Sequence, residues 1–143
     1  MTIGWILGLA SLLPQPVADH TCLAATVYLE ARSEPVRGQL AVAEVALRRR
    51  DQGFYGSTVC KVVTAPHQFA LATTPKTFQI DNQDAWNKAW RVAAEALRTW
   101  SLPRAERTVV VPRADHFMRL DASADWARNP LATIGEHRFY AVD

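Results

Sequence analysis

Two carboxylates, Glu30 and Glu34, stand in the stretch Tyr28-Leu29-Glu30-Ala31-Arg32-Ser33-Glu34-Pro35. On a helical wheel Leu23, Ala24, Val27, Tyr28 and Ala31 form an apolar arc, and Glu30 sits at its border. Partial burial there disfavours the charged form and raises the carboxyl pKa. A carboxyl that keeps its proton near neutral pH can act as a general acid, the property that cleavage of a glycosidic bond requires. Glu34 lies four residues on, and repulsion between the two carboxylates would push one further toward the protonated state. Groups at i and i+4 share one helix face, however, with Cβ atoms ~5–6 Å apart. A two-carboxylate glycosidase needs groups on opposite faces of the sugar. Glu30 is therefore expected to act alone, with the second function supplied elsewhere or by the substrate. Glu44 is a control: it too lies on an apolar helix, but Arg48 is four residues away to pair with it, so it reads as structural.

Other residue types offer rival chemistry. Cys60, at the start of a short helix and with His116 downstream, has the chain order of a cysteine peptidase nucleophile and base. Cys22 counts against that reading, because in an oxidising compartment it gives Cys60 a disulfide partner. Four histidines, His20, His67, His116 and His137, show no HExxH or paired-ligand spacing, so no metal site and no cofactor is expected.

The elements that must position Glu30 are mainly helical. The sequence predicts a helix over 21–33, ended by Pro35, which disfavours the α conformation at Glu34. A central apolar helix follows over 39–50, closed by Arg48-Arg49-Arg50, read as a solvated helix end. A short helix over 57–64 with Ser57 as cap precedes a loop region over 65–80, a natural cleft wall. A third long helix starts near Asp81 or Asn82, its Trp86, Ala89, Trp90, Ala93, Leu97 and Trp100 recurring at three- and four-residue steps as a core stripe. Val109–Pro112 and Arg138–Val142 are the two short strand candidates, giving an α+β fold with a small hairpin.

The chain has 143 residues, enough for one ordinary domain, and is 49% hydrophobic and 21% charged, a globular composition. A formal net charge of +2 does not point to nucleic acid. The apolar run from Ile3 to Leu13 is shorter than the ~20 residues of a bilayer span. It suits the apolar core of an export signal or a weak membrane anchor, although no Lys or Arg precedes it; the alternative is a first helix packed on the domain. The organisation expected is an N-terminal apolar segment over 1–20 and a single catalytic domain over 21–143.

A set of segments in fixed order resembles the catalytic domain of the SleB/CwlJ-type cell-wall hydrolases. They are Cys22-Leu23-Ala24, Tyr28-Leu29-Glu30-Ala31-Arg32, Glu34-Pro35, Gly38-Gln39 with Ala41-Val42-Ala43, Thr58-Val59-Cys60 with Val62-Val63, and Gln68-Phe69. Ala114-Asp115-His116-Phe117, Trp126 and Ile134-Gly135-Glu136-His137-Arg138-Phe139-Tyr140 follow. The resemblance implies a lysozyme-like, mainly helical fold that cleaves the glycan strand of peptidoglycan between MurNAc and GlcNAc, and it carries the catalytic glutamate onto Glu30. It implies lytic transglycosylation by one glutamate, acid first and base second, with a muramidase outcome as the variant. Tyr28, Glu34, Gln68, His116 and His137 fall in matched segments and are expected to line the substrate cleft. An exported or phage-borne setting follows, with Cys22 and Cys60 paired. The chain departs from the family pattern at Ser33, where Gly is usual, at Arg48-Arg49, where Asn-Arg is frequent, and before Ala114, where an Asp-Pro-Thr-x-Gly run is lacking. The alternatives to glycan cleavage are the Cys60/His116 peptidase and a wall-binding module without catalysis.

Overall fold

A computed structural model describes residues 1–143. Six helices precede a small sheet: α1 (Ile3–Ala10), α2 (Gln15–Ala31), α3 (Val36–Gln52), α4 (Val59–Thr64), α5 (Ala70–Thr73) and α6 (Gln83–Ser101). A 3-10 turn at Arg104–Glu106 leads to β1 (His116–Arg119), β2 (Ala132–Ile134) and β3 (His137–Tyr140). The sheet is antiparallel in the order β1-β3-β2, with Phe117 opposite Phe139 and Ile134 opposite His137. It is a three-stranded sheet rather than the hairpin read from the sequence.

The core lies where α2, α3 and α6 meet. Their contact faces carry Ala24, Ala25, Ala41, Ala43, Ala46, Ala89, Ala93 and Ala96, all buried, and small side chains let helix surfaces approach closely. Larger side chains, among them Leu23, Val27, Val42, Val45, Leu47 and Phe139, fill the space between them. The core stripe expected on α6 is present: Ala89, Ala93 and Trp100 are buried, and Trp86, Trp90 and Leu97 pack against them.

Several boundaries move for identifiable reasons. α2 begins at Gln15, six residues before the expected start, because Pro16 falls in the first turn, where a missing N–H costs nothing. α2 ends at Ala31, with Arg32 as its C-cap. α3 starts at Val36, since Pro35 adopts extended geometry as N-cap (φ −62°, ψ 159°), and closes on Gly53 in the left-handed region (φ 79°). Thr58, not Ser57, caps α4, its hydroxyl accepting the Lys61 N–H. The loop over 65–80 contains the one-turn helix α5. Asn82 caps α6.

Val109–Pro112 forms no strand. The N–H groups of Val110 and Val111 donate to the two carboxylate oxygens of Glu44 (2.7 and 3.2 Å), so a side chain replaces the ladder partner. Arg48 contacts the same carboxylate at 3.6 Å, the pairing expected for Glu44.

The apolar N-terminal run folds onto the domain: Ile3, Ile6 and Ala10 of α1 are buried, and backbone bonds join Ile3 to Phe78 and Gly4 to Lys76. No helix is long and apolar enough to cross a membrane. The Cys22–Cys60 disulfide is formed, linking α2 to α4, and leaves no free cysteine.

Candidate active site

Glu30 occupies the penultimate position of α2, next to the chain that enters α5. The Ala70 N–H donates to its Oε1 at 2.7 Å. Oε2 makes no hydrogen bond within the protein and is not fully buried, so one oxygen is fixed and the other reaches solvent. Burial raises the Glu30 pKa; the Ala70 N–H and the charge of Arg49 oppose that rise without cancelling it. The repulsion expected from Glu34 is not the cause: α2 has ended by then, so the i, i+4 geometry does not apply.

Arg49 is the residue that the sequence reading missed. It is buried rather than solvated. Its Nε donates to the Asp115 carbonyl oxygen (2.8 Å) and its Nη1 to the carbonyl and side-chain oxygens of Gln68 (3.3 and 3.2 Å). The guanidinium lies 4.7 Å from the Phe69 ring centroid. Burial lowers its pKa, while Tyr55, Asp115, Asp143 and Glu30 pull it back up. A signal was present: Arg49 stands four residues after Val45 and seven after Val42, on the buried stripe of α3. Its neighbours are also held, Arg48 by the Ala114 carbonyl oxygen (2.7 Å) and Arg50 by Asp19 at 3.9 Å.

The residues named from the sequence fall into three groups. Glu30 and Gln68 adjoin Arg49, and His116 is joined to them through Asp115. Gln68 accepts from Arg49 and so positions it, and His116 is held by Asp115 (Nδ1 to Oδ1, 2.9 Å). Asp115 is buried, which pushes its pKa up, but hydrogen bonds from His116, Val142, Gln52 and Asp143 outweigh this and hold it below the usual value. The His116 ring lies 4.8 Å from that of Trp126, itself 37% exposed and edge-on to Tyr140. This aromatic rim suits stacking against a sugar face.

Glu34 and His137 form a second group away from solvent, at 6% and 2% exposure, and cannot line an open cleft. Glu34 Oε1 accepts the Glu136 N–H (2.8 Å) and so fastens the β2–β3 turn to the α2–α3 corner. At that turn Gly135 has φ 57°, and a Cβ there would meet Glu34 Oε1 at 2.7 Å. His137 Nδ1 lies 3.2 Å from Glu34 Oε1 without hydrogen-bond alignment. Burial holds the His137 pKa down despite the Glu34 charge. Tyr28 stands by itself, 1% exposed, packed edge-on to Trp86 with its hydroxyl accepting the Asn82 N–H (3.4 Å). It joins α2 to α6 and does not line a cleft.

The disulfide removes the Cys60 thiol that a peptidase would need. Asp115, His116 and Asp143 place ligand-type atoms within 4.8 Å of one another. Both Asp115 oxygens are already engaged by His116, Val142, Gln52 and Asp143, which leaves the cluster poorly suited to a cation.

The chain is similar to known proteins. The chain is 29% identical over 124 residues to a spore cortex-lytic enzyme of Oceanobacillus iheyensis, and 28% identical to that of Bacillus subtilis, covering 85% of this chain in each case. It spans only 41% and 37% of the length of those two proteins. Among solved structures it is similar to the catalytic domain of the germination-specific lytic transglycosylase SleB from Bacillus anthracis, at 27% identity and a TM-score of 0.67, covering 85% of this chain and 92% of that one. The catalytic domain of Bacillus cereus SleB matches equally, with 88% of its chain covered. The sequence profile described as Cell Wall Hydrolase matches residues 33–140, three quarters of the chain, and the protein belongs to that family.

Proposed function

We propose that this domain cleaves the glycan strand of peptidoglycan at the MurNAc–GlcNAc bond, with Glu30 as the single acid and base. The observation that carries the reading is the state of Glu30: a carboxyl with a pKa raised by burial, one oxygen tied to Ala70 and the other open. Glu44 has a raised pKa for the same first reason, but both its oxygens are committed to the 109–111 loop. Asp115 is equally committed.

Protonated Glu30 gives its proton to the glycosidic oxygen as the C1–O bond breaks. The carboxylate left behind faces the Arg49 charge, which stabilises it. It then takes a proton from the muramyl 6-hydroxyl as that oxygen bonds to C1, giving a 1,6-anhydro end and returning Glu30 to its protonated state. Water in place of the 6-hydroxyl gives a reducing end. The solved SleB domain, a lytic transglycosylase at 27% identity, favours the anhydro product. The disulfide supports action outside the reducing cytoplasm.

The test is digestion of purified peptidoglycan with mass spectrometry of the released material. Anhydro-muropeptides are expected from the wild type and not from Glu30→Gln. Reducing ends turn the assignment to a muramidase. Wall binding without release at any dose turns it to a binding module.

A further inference from the structure

A pocket of about 500 Å³ lies away from Glu30, lined in part by the C-terminal end of α3. Arg48 and Arg49, successive residues, divide between the two: Arg48 lines this pocket while Arg49 faces Glu30. Its volume is within the ~300–1,000 Å³ range of small-ligand sites. Four arginines line it, Arg48, Arg104, Arg107 and Arg113, together with Asp51, Asp143 and the Trp100 ring.

The arginines divide into a fixed pair and a free pair. Arg48 and Arg107 lie 5.3 and 4.8 Å from the Trp100 ring centroid. Arg107 donates to the carbonyl oxygens of Leu102 and Trp100 (3.0 Å each), and Arg48 to that of Ala114. Burial lowers the Arg48 pKa; Glu44 and Asp115 oppose that, and the Arg107 charge adds a smaller lowering. Arg104 and Arg113 are exposed, and their guanidinium groups make no hydrogen bond or ion pair within the protein. Arg113 also holds a left-handed backbone conformation (φ 70°), unusual for a long side chain. Two guanidinium groups without partners, beside two mutually repelling ones, make a site that an anion would stabilise. The acids matter as well. Asp51 accepts the Trp100 indole N–H (2.9 Å) and lies 3.6 Å from Arg50, and Asp143 also lines the pocket, so the pocket offers a cationic group a place beside the anionic ones. A phosphate polymer has no use for such acids, whereas a peptide bearing carboxylates and an amine has.

We propose that this pocket binds the carboxylate-bearing peptide stem of the glycan strand, with Arg104 and Arg113 taking the carboxylates and the aspartates facing the stem amine. The proposal rests on the glycan-cleaving reading above and names the part of the substrate held beyond the scissile bond. The pocket and the Glu30 site share a wall. Gln52, which lines the pocket, donates to Asp115 Oδ2, and the Asp115 carbonyl oxygen holds Arg49. A bound stem would therefore register against the cleft through rigid contacts.

The test is isothermal titration of the full chain with the free tripeptide L-Ala-γ-D-Glu-diaminopimelate, and separately with a glycerol phosphate oligomer. The comparison is the double variant Arg104→Gln, Arg113→Asn; Asn tolerates the left-handed backbone. Wild type is expected to bind the tripeptide, and the double variant at least ~10-fold more weakly, since each guanidinium supplies charge-assisted hydrogen bonds. The variant should also raise KM on peptide-bearing glycan while leaving kcat, and all turnover of peptide-free glycan, unchanged. Equal tripeptide affinity in both proteins, or no binding at millimolar tripeptide, overturns the proposal. So does binding of the phosphate oligomer alone, lost in the double variant, which would make the pocket a phosphate-polymer site. Titration needs no turnover, so tripeptide binding with uncut glycan sinks the proposed reaction and keeps the pocket; cutting that ignores the stem does the reverse.

Discussion

Glu30→Gln should make the protein more stable at neutral pH while disabling it. The amide oxygen of Gln can still accept the Ala70 N–H, so the one hydrogen bond that holds the side chain survives. What is removed is the ionisation. In the folded state burial raises the Glu30 pKa above the model-peptide value of 4.5. Between that value and the folded one, the native state binds more protons than the unfolded chain, so wild-type stability falls as pH rises through the window. Below it, both states are protonated and nothing is lost. Each unit of elevation corresponds to ~1.4 kcal/mol at higher pH. The Gln variant is therefore expected to be more stable than wild type at neutral pH, and each kcal/mol of that gain raises Tm by about 3 °C for a domain of this size. The gain should shrink to zero by pH ~4. Thermal unfolding of both proteins across a pH series measures it, beside muropeptide release, which should drop by ~10²–10⁴-fold. The reasoning fails if the variant is less stable than wild type at neutral pH. That result would mean that Glu30 serves chiefly as the ion-pair partner of Arg49, held ionised rather than poised to donate.

Three further outcomes test the framework around the site. Replacing both Cys22 and Cys60 by Ser opens a link across 38 residues and should cost ~4 kcal/mol in the chain-entropy relation, read by denaturant unfolding; folded variant should still cut glycan, and loss of cutting in a folded Cys60→Ser protein would restore the thiol reading. Glu44→Ala strips the acceptor from the Val110 and Val111 N–H groups and should cost ~3 kcal/mol, seen as a lower denaturation midpoint; an unchanged midpoint would mean water replaces the carboxylate. Gly135→Ala forces a Cβ to within 2.7 Å of Glu34 Oε1 at φ 57° and should cost ~1–3 kcal/mol in the same assay, with faster hydrogen exchange at the Glu136 amide; a neutral effect would show that the β2–β3 turn moves freely.

Glu30 was legible because its signal is local: an acid at the margin of an apolar arc on one helix. The helical core was legible for the same reason, from three- and four-residue periodicity on α6 and apolar density on α3. What escaped depends on contacts distant in sequence. Arg49 sits in a run of three arginines, and only the carbonyl oxygens of Gln68 and Asp115, 19 and 66 residues away, make its burial tolerable. Val109–Pro112 has strand composition but loses its ladder to Glu44, 66 residues earlier. Glu34 was misplaced by two residues of helix end. That small shift turned a presumed neighbour of Glu30 into the clamp of a turn 102 residues downstream. The strands themselves are three or four residues long, too short for alternation to stand out.

The Cys22–Cys60 link closes a ring of chain that carries both Glu30 and Arg49, and α4 at its far end leads into the segment that presents Ala70 to the acid. Its contribution of ~4 kcal/mol is a large share of the ~5–15 kcal/mol by which domains of this kind are stable. Where thiols are kept reduced, that share is withheld, and the acid, its charge partner and its anchoring N–H belong to a looser chain. The link thus adds its share of stability only in an oxidising space, and the ring that holds the acid and its charge partner is firmest there.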